Sequence, residues 1–235
     1  PDYKATREKM PDELAAQLPV IDDVVSKLNI PYVKRAGFEA DDIIGTICKL
    51  GADQGFEVKV LSGDKDFAQL VNEHVKIVNP KDNKVWTSEY VEEKWGVPPE
   101  KIIDLLGLMG DASDNVPGVP GVGPKTAVKL IQAHGSILEL FEKLDNVKNP
   151  KLKLKLEENK DKALLSRELV TIKTDMDDMP SWDEIRIESM DIDAARTVFQ
   201  EFELFNLMKP LDDVRALYAT GDAPVREERS HSYTV

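Results

Sequence analysis

Gly118-Val119-Pro120-Gly121-Val122-Gly123-Pro124-Lys125-Thr126-Ala127 runs directly into an apolar helical pattern at Val128, Leu130 and Ile131. Glycines at three of the first six positions let the backbone turn tightly and approach another molecule closely. The helix start that follows offers unpaired N–H groups and the positive end of a dipole, and Lys125 adds a full charge there. The stretch reads as the hairpin of a helix-hairpin-helix, holding a phosphate backbone through Gly118, Gly121, Val122, Gly123, Lys125 and Thr126 without reading bases. A plain Gly/Pro turn between packed helices is the bland alternative, and it needs neither the lysine nor the helix start in that register.

Around the hairpin the chain reads as helical. Ser88 to Trp95, Pro99 to Met109, Lys125 to Ala133, Ile137 to Leu144 and Leu152 to Ile172 all carry helical spacing. Upstream, helices alternate with short strands. Asp12 to Leu28 places Leu14, Leu18, Ile21, Val24, Val25 and Leu28 on one helical face, and Glu39 to Leu50 does the same with Ile43, Ile44, Ile47 and Leu50. Strands are expected at Ile30–Val33, Glu57–Leu61, Val75–Val78 and Lys84–Thr87, with a short helix over Asp66–Val71. The expected fold is therefore α/β, a largely parallel sheet with flanking helices, followed by a helical subdomain. The expected divisions are 1–109 for the sheet-bearing core, 110–209 for the hairpin subdomain and 210–235 for a linker, where the text thins to Gly221, Asp222, Ala223 and Pro224.

The chain has 235 residues, 41% of them hydrophobic, which is enough for one large core or two smaller ones. It shows no apolar run long enough to span a membrane and no signal-peptide core at its start, so no membrane partner and a cytoplasmic location are expected. Its 31 basic and 44 acidic residues give a net charge of −13, which excludes a charge-driven coat for nucleic acid. The charge is nevertheless segregated: Pro124 to Lys173 carries 11 Lys and Arg against 7 Asp and Glu, whereas Thr174 to Glu203 carries 2 against 10.

Three acidic clusters stand at element ends: Glu39, Asp41 and Asp42 opening a helix, Asp64 and Asp66 after a strand, and Asp111 and Asp114 after a helix. Any one of them reads as helix capping or turn chemistry. Brought together, two carboxylates about 4 Å apart repel by about 4 kcal/mol at an effective dielectric near 20, a cost that a divalent cation reverses. An oxygen-only donor set selects Mg²⁺ or Mn²⁺ over zinc. His74, His134 and His231 do not cluster, and the single cysteine, Cys48, falls on the apolar side of a helix. Tyr3, Lys4 and Arg7 form a small basic face, and Lys151, Lys153 and Lys155 another; each alone is an ordinary solvated face.

Gly37-Phe38-Glu39-Ala40-Asp41-Asp42, Ser62-Gly63-Asp64-Lys65-Asp66, Leu108-Met109-Gly110-Asp111-Ala112-Ser113-Asp114-Asn115 and the glycine-rich hairpin together resemble the 5′ nuclease domain family of bacterial DNA polymerase I, which belongs with the flap endonucleases. The resemblance runs from about residue 1 to about residue 209. It implies that Glu39, Asp41, Asp42, Asp64, Asp66, Asp111 and Asp114 hold metal, two Mg²⁺ or Mn²⁺ ions. It places Lys4 and Arg7 among catalytic basic residues near a helical arch, and the hairpin on duplex DNA with a potassium ion beside it.

The implied activity is metal-dependent 5′-3′ exonuclease and flap endonuclease hydrolysis of DNA at flaps, nicks and 5′ ends in primer removal and repair. Polymerase domains are expected in the same longer chain, with 210–235 leading toward them. The family begins with an Asp-bearing strand absent before Pro1, so the resemblance also implies an N-terminally truncated and weakly active chain. Two rival classes stand beside this one: a non-catalytic helix-hairpin-helix module that binds branched DNA, and a phosphotransfer α/β domain using Asp64.

Overall fold

The computed structural model describes residues 4–5, 9–187 and 191–219. In chain order its elements are α1 (Asp12–Ala15), α2 (Leu18–Lys27), α3 (Ala40–Asp53), β1 (Val58–Leu61), β2 (Val75–Val78), β3 (Val85–Trp86), α4 (Ser88–Trp95), α5 (Ile102–Met109), α6 (Pro124–His134), α7 (Ile137–Glu142), α8 (Pro150–Glu158), α9 (Lys160–Val170), α10 (Ile192–Glu201), α11 (Phe205–Met208) and α12 (Leu211–Ala219). A 3₁₀ turn over Lys65–Leu70 joins β1 to β2. The chain forms two compact units, one of Pro1–Glu8 with Arg35–Met179, the other of Lys9–Lys34 with Pro180–Val235. The sheet and the hairpin helices share the first unit, and the division expected at 109/110 runs through it.

In the first unit β1 pairs parallel with β2, Val58 opposite Val75 and Leu61 opposite Val78. The third strand returns antiparallel, with Ile77 opposite Trp86. A parallel connection needs a crossover, and the 3₁₀ turn supplies a short one; β2 and β3 need only the turn at Asn79–Lys84. Helix ends follow local chemistry. Thr87 caps α4 by accepting the Tyr90 N–H at 3.3 Å, and Gly96, at φ +77°, ends it. Ser136 caps α7 and Asn149 caps α8 in the same way.

The apolar helix α5 is the centre of this unit. Ile102, Leu105, Leu106 and Leu108 are all buried, and α5 packs against α6, α7 and α9. Trp86, Ile77, Val75, Val91, Ile137, Leu140 and Leu156 belong to the same core. A helix buried on nearly all sides holds its two ends firmly, and the residue after its C-terminus, Gly110, leads into Asp111. Cys48 lies in this core on α3, and burial pushes its thiol up to about 11.

The second unit packs Ile192, Ala195 and Phe199 of α10 and Leu211 of α12 against Val24 of α2 and Leu28, which caps that helix. Three expectations change here and nearby. The helix expected over Asp12–Leu28 breaks between Ala15 and Leu18, because Pro19 has no N–H to donate to the Ala15 carbonyl. Ile30–Val33 is not a strand, since Pro31 removes a ladder donor. The start of the expected linker is helical, α12, and is anchored by buried Leu211. Residues 220–235, including His231, lie outside the described residues. Among the described residues no helix is long and apolar enough to cross a membrane.

Candidate metal centre

Beyond the C-terminal end of β1 the chain turns through Ser62 and Gly63 to Asp64. This aspartate accepts the Asp66 N–H on Oδ1 at 3.0 Å and so starts the 3₁₀ turn. The same turn aims Asp66 at the loop that follows α5. There Asp111 N donates to Val116 O at 2.9 Å, Val116 N donates back to Asp111 O at 2.8 Å, and the tight loop between them carries Asp114. One carboxylate oxygen from each of Asp66, Asp111 and Asp114 lies within 4.8 Å of the others. The cleft they line measures about 360 Å³ and is completed by Gly63, Asp64, Lys65 and Ser113.

The electrostatics of this cluster are uneven. Burial, then the charges of Asp64 and Asp111, push the Asp66 carboxyl up to about 7. Burial also opposes ionisation of Asp111, but hydrogen bonds from Lys65 and Ser113 outweigh it and hold Asp111 below the usual carboxylate range. Lys65 Nζ stands 2.7 Å from Asp111 Oδ2, and the Ser113 N–H donates to Asp111 Oδ1 at 3.0 Å. Asp41, at the start of α3, is raised by burial and then by the charge of Asp64.

Lys4 closes the group from another side. Its ammonium pairs with Glu39, lies 3.9 Å from Asp114 Oδ2, and its backbone N–H donates to Asp114 O at 2.9 Å. Arg7, expected beside it, lies outside the described residues.

The seven expected carboxylates thus divide. Asp66, Asp111 and Asp114 converge, with Asp64 and Asp41 in electrostatic reach. Glu39 and Asp42 form a capping box at the start of α3. Asp42 accepts the Glu39 N–H at 3.3 Å and the Lys173 N–H at 3.0 Å, so backbone donors engage both of its oxygens. Lys65 was not expected as part of the site; its place between Asp64 and Asp66 in sequence is the signal that marks it.

In the hairpin, Gly118 is at φ +58° and Gly121 at φ +79°, so both use backbone conformations that suit glycine. Val122 corrects the expectation of a phosphate contact: its side chain is 3% exposed and its N–H is donated to Val119 O at 2.9 Å, so it shapes the turn. Gly118 is likewise internal, its N–H taken by Ser166 Oγ at 2.9 Å. Gly121, Gly123 and Lys125 are exposed at the start of α6, and this is the part a phosphate can reach. A β-carbon on Gly121 would stand 2.6 Å from Lys155 Nζ, which places a second ammonium over the hairpin.

The donor chemistry fits a hard divalent cation. Among the described residues Asp66 Oδ1 is buried without a hydrogen-bond partner, and the carboxylates of Asp66, Asp111 and Asp114 each offer an oxygen to the same point. An orphaned buried acceptor among like charges is costly unless a cation is provided for.

Two family descriptions together cover most of the chain: 5'-3' exonuclease, N-terminal resolvase-like domain, over residues 1–96, and 5'-3' exonuclease, C-terminal SAM fold, over residues 97–193. The chain belongs to the 5'-3' exonuclease family. DNA polymerase I of Bacillus subtilis (strain 168) is 43% identical over 216 residues, 90% of this chain and 24% of that protein. The 5'-3' exonuclease of Aquifex aeolicus (strain VF5) is 38% identical over 213 residues, 91% of this chain and 72% of that protein. The chain therefore spans about a quarter of the DNA polymerase I it resembles. Among solved structures, T5 5'-exonuclease with bound divalent metal ions (zinc) superposes with a TM-score of 0.64 at 24% identity, covering 91% of this chain and 77% of that one. The catalytic core of Rad2 in complex with DNA substrate gives 0.53 at 17% identity, covering 84% and 66%. Both likenesses establish that this 5'-3' exonuclease family member has the expected nuclease fold.

Proposed function

We propose that the chain is a metal-dependent 5'-3' exonuclease and flap endonuclease unit of a longer DNA polymerase I, hydrolysing DNA phosphodiesters at flaps, nicks and 5′ ends. The observation that carries this reading is the convergence of the Asp66, Asp111 and Asp114 carboxylates, one Asp66 oxygen being buried without a hydrogen-bond partner among the described residues, in the same compact unit as the hairpin. Asp66, Asp111 and Asp114 would hold one ion, and Asp41 and Asp64 would help hold a second. Bound Mg²⁺ or Mn²⁺ supplies the Lewis acidity that phosphodiester hydrolysis needs.

The chain's own residues do the rest. Lys65 keeps Asp111 ionised and oriented; Lys4 steadies phosphate charge beside Asp114 and is joined in this by Arg7. Gly121, Gly123, Lys125 and Thr126 grip the duplex backbone without sequence preference. In the proposed division of labour, 1–109 supplies most of the carboxylates, 110–209 the grip on DNA, and the residues after 210 the connection to polymerase domains.

The test is cleavage of a 5′-flap duplex in Mg²⁺ together with Mn²⁺ binding measured on the protein alone. Asp66→Asn and Asp111→Asn should each lower cleavage at least about 100-fold and weaken Mn²⁺ binding, while flap affinity stays within several-fold. Cleavage and Mn²⁺ affinity that survive both changes refute the metal assignment.

A further inference from the structure

Gly110 and Gly118 lie back to back. A β-carbon on Gly118 would overlap the backbone nitrogen of Gly110, and one on Gly110 would stand 2.6 Å from Val116 O and 2.9 Å from Gly118 N. Both residues have positive φ, +71° and +58°. The Val119 N–H donates to Leu108 O at 2.8 Å, and Asp111 and Val116 exchange their two backbone bonds between these contacts. The loop bearing Asp111 and Asp114 and the hairpin opening at Gly118 are therefore one continuously bonded piece of backbone.

That piece is anchored from α9 by a buried hydroxyl. Ser166 on α9, fully buried, accepts the Gly118 N–H at 2.9 Å and donates to Lys162 O at 2.7 Å. Its helix is fixed in turn on α5: Arg167 Nε donates to buried Asp104 Oδ1 at 2.7 Å. Gly107 admits that contact, since a β-carbon there would come within 2.9 Å of Arg167 Cβ. The anchor thus reaches Gly118 from a helix locked to the one that ends at the carboxylate loop.

We infer that Ser166 is a positioning residue that couples the carboxylate loop to the DNA-holding hairpin, so that cation binding at Asp111 and Asp114 and phosphate binding at Gly121 to Lys125 depend on the same hydroxyl. The inference rests on the function proposed above. Removing the Ser166 oxygen leaves the buried Gly118 amide unpaired. Gly118 cannot shift to find water without pushing Gly110, and Gly110 moves Asp111.

The experiment compares Ser166→Ala with Ser166→Thr, which keeps the hydroxyl. Mn²⁺ affinity is measured on the DNA-free chain and duplex affinity without divalent ions, both well below the melting temperature. Ser166→Ala should weaken both constants together by about fivefold to tenfold, the fold-change of one lost buried hydrogen bond, and Ser166→Thr should restore both. Ser166→Cys, close in volume with a weaker acceptor, should move both in the same direction by a smaller factor. Val91→Ala, a cavity in α4, should lower the melting temperature and leave both constants alone.

A loss confined to DNA overturns the coupling, because Ser166 would then serve the hairpin alone. A lowered melting temperature with both constants unchanged overturns it as well, leaving only packing, and so does a Thr variant as weak as Ala. A wild-type chain that binds neither Mn²⁺ nor duplex refutes the proposed function itself, and the inference falls with it.

Discussion

Replacing Asp66 with Asn should stabilise the metal-free protein at alkaline pH, the reverse of what deleting a buried hydrogen-bonding group usually does. With its carboxyl pushed up to about 7 from 3.8, the folded state holds this proton more tightly than the unfolded chain. The contribution is therefore complete below about pH 4 and lost as pH rises to about 7, because over that window the folded state binds more protons than the unfolded one. At pH 8 the ionised carboxylate costs about 4 kcal/mol at most, and about 2 to 4 kcal/mol once solvent screening at this half-buried position is allowed for. For a chain of this size that is a rise of roughly 5 to 15 °C in melting temperature for Asp66→Asn in EDTA at pH 8. At pH 5 the gain should fall to less than half of that.

Mn²⁺ should reverse the order. At 100 times its dissociation constant an ion bound only to the native state adds about 2.7 kcal/mol to the wild type, and the Asn variant should gain far less. Thermal unfolding followed by circular dichroism at pH 5 and pH 8, with EDTA or Mn²⁺, reads all four arms. A variant that is less stable than wild type in EDTA at both pH values, or equally stabilised by Mn²⁺, refutes the account of Asp66 as a ligand strained by its neighbours' charge.

Gly118→Ala should destabilise by at least about 2 kcal/mol in urea denaturation, since its β-carbon meets the Gly110 backbone at a positive φ; an effect under about 0.5 kcal/mol would contradict that packing. Gly123→Ala has open space and an ordinary φ of −92°, so the unfolding midpoint should fall only by the small cost of losing a glycine N-cap on α6, about 1 kcal/mol or less, while duplex affinity falls; unchanged affinity removes Gly123 from the interface. Lys155→Ala should lower the slope of log affinity against log salt by about one, equally for unrelated duplex sequences, and an unchanged slope would show that the ammonium over Gly121 meets no phosphate.

The carboxylates Asp64, Asp66, Asp111 and Asp114 are legible in the sequence because each follows the end of a regular element, and chain topology delivers element ends to one edge of a small sheet. The hairpin is legible because its glycines and the helix start are contiguous. What sequence cannot display is contact at a distance. Ser166 reads as one more polar residue on an amphipathic helix, and its partner Gly118 is 48 positions away. Asp104 interrupts the apolar run Ile102 to Met109, which does mark it as unusual, but its neutralising Arg167 lies 63 positions on. The broken helix at Ala15 and the lost strand at Ile30 show the opposite failure: apolar periodicity persists through Pro19 and Pro31, where backbone donors are missing. Glu39 and Asp42 show how one acidic motif can serve two chemistries, since the spacing that suits ligands is also that of a capping box.

The state of Cys48 has a practical consequence for anyone wishing to watch this molecule at work. It is the chain's single cysteine, and burial on the core side of α3 pushes its thiol up to about 11, well away from the reactive thiolate at pH 7. At 3% exposure it should react only slowly with maleimides and spin labels. A cysteine placed at exposed Lys129 on α6 would take a fluorophore without any prior removal of the native one, and would report the hairpin's approach to duplex from an otherwise unlabelled protein.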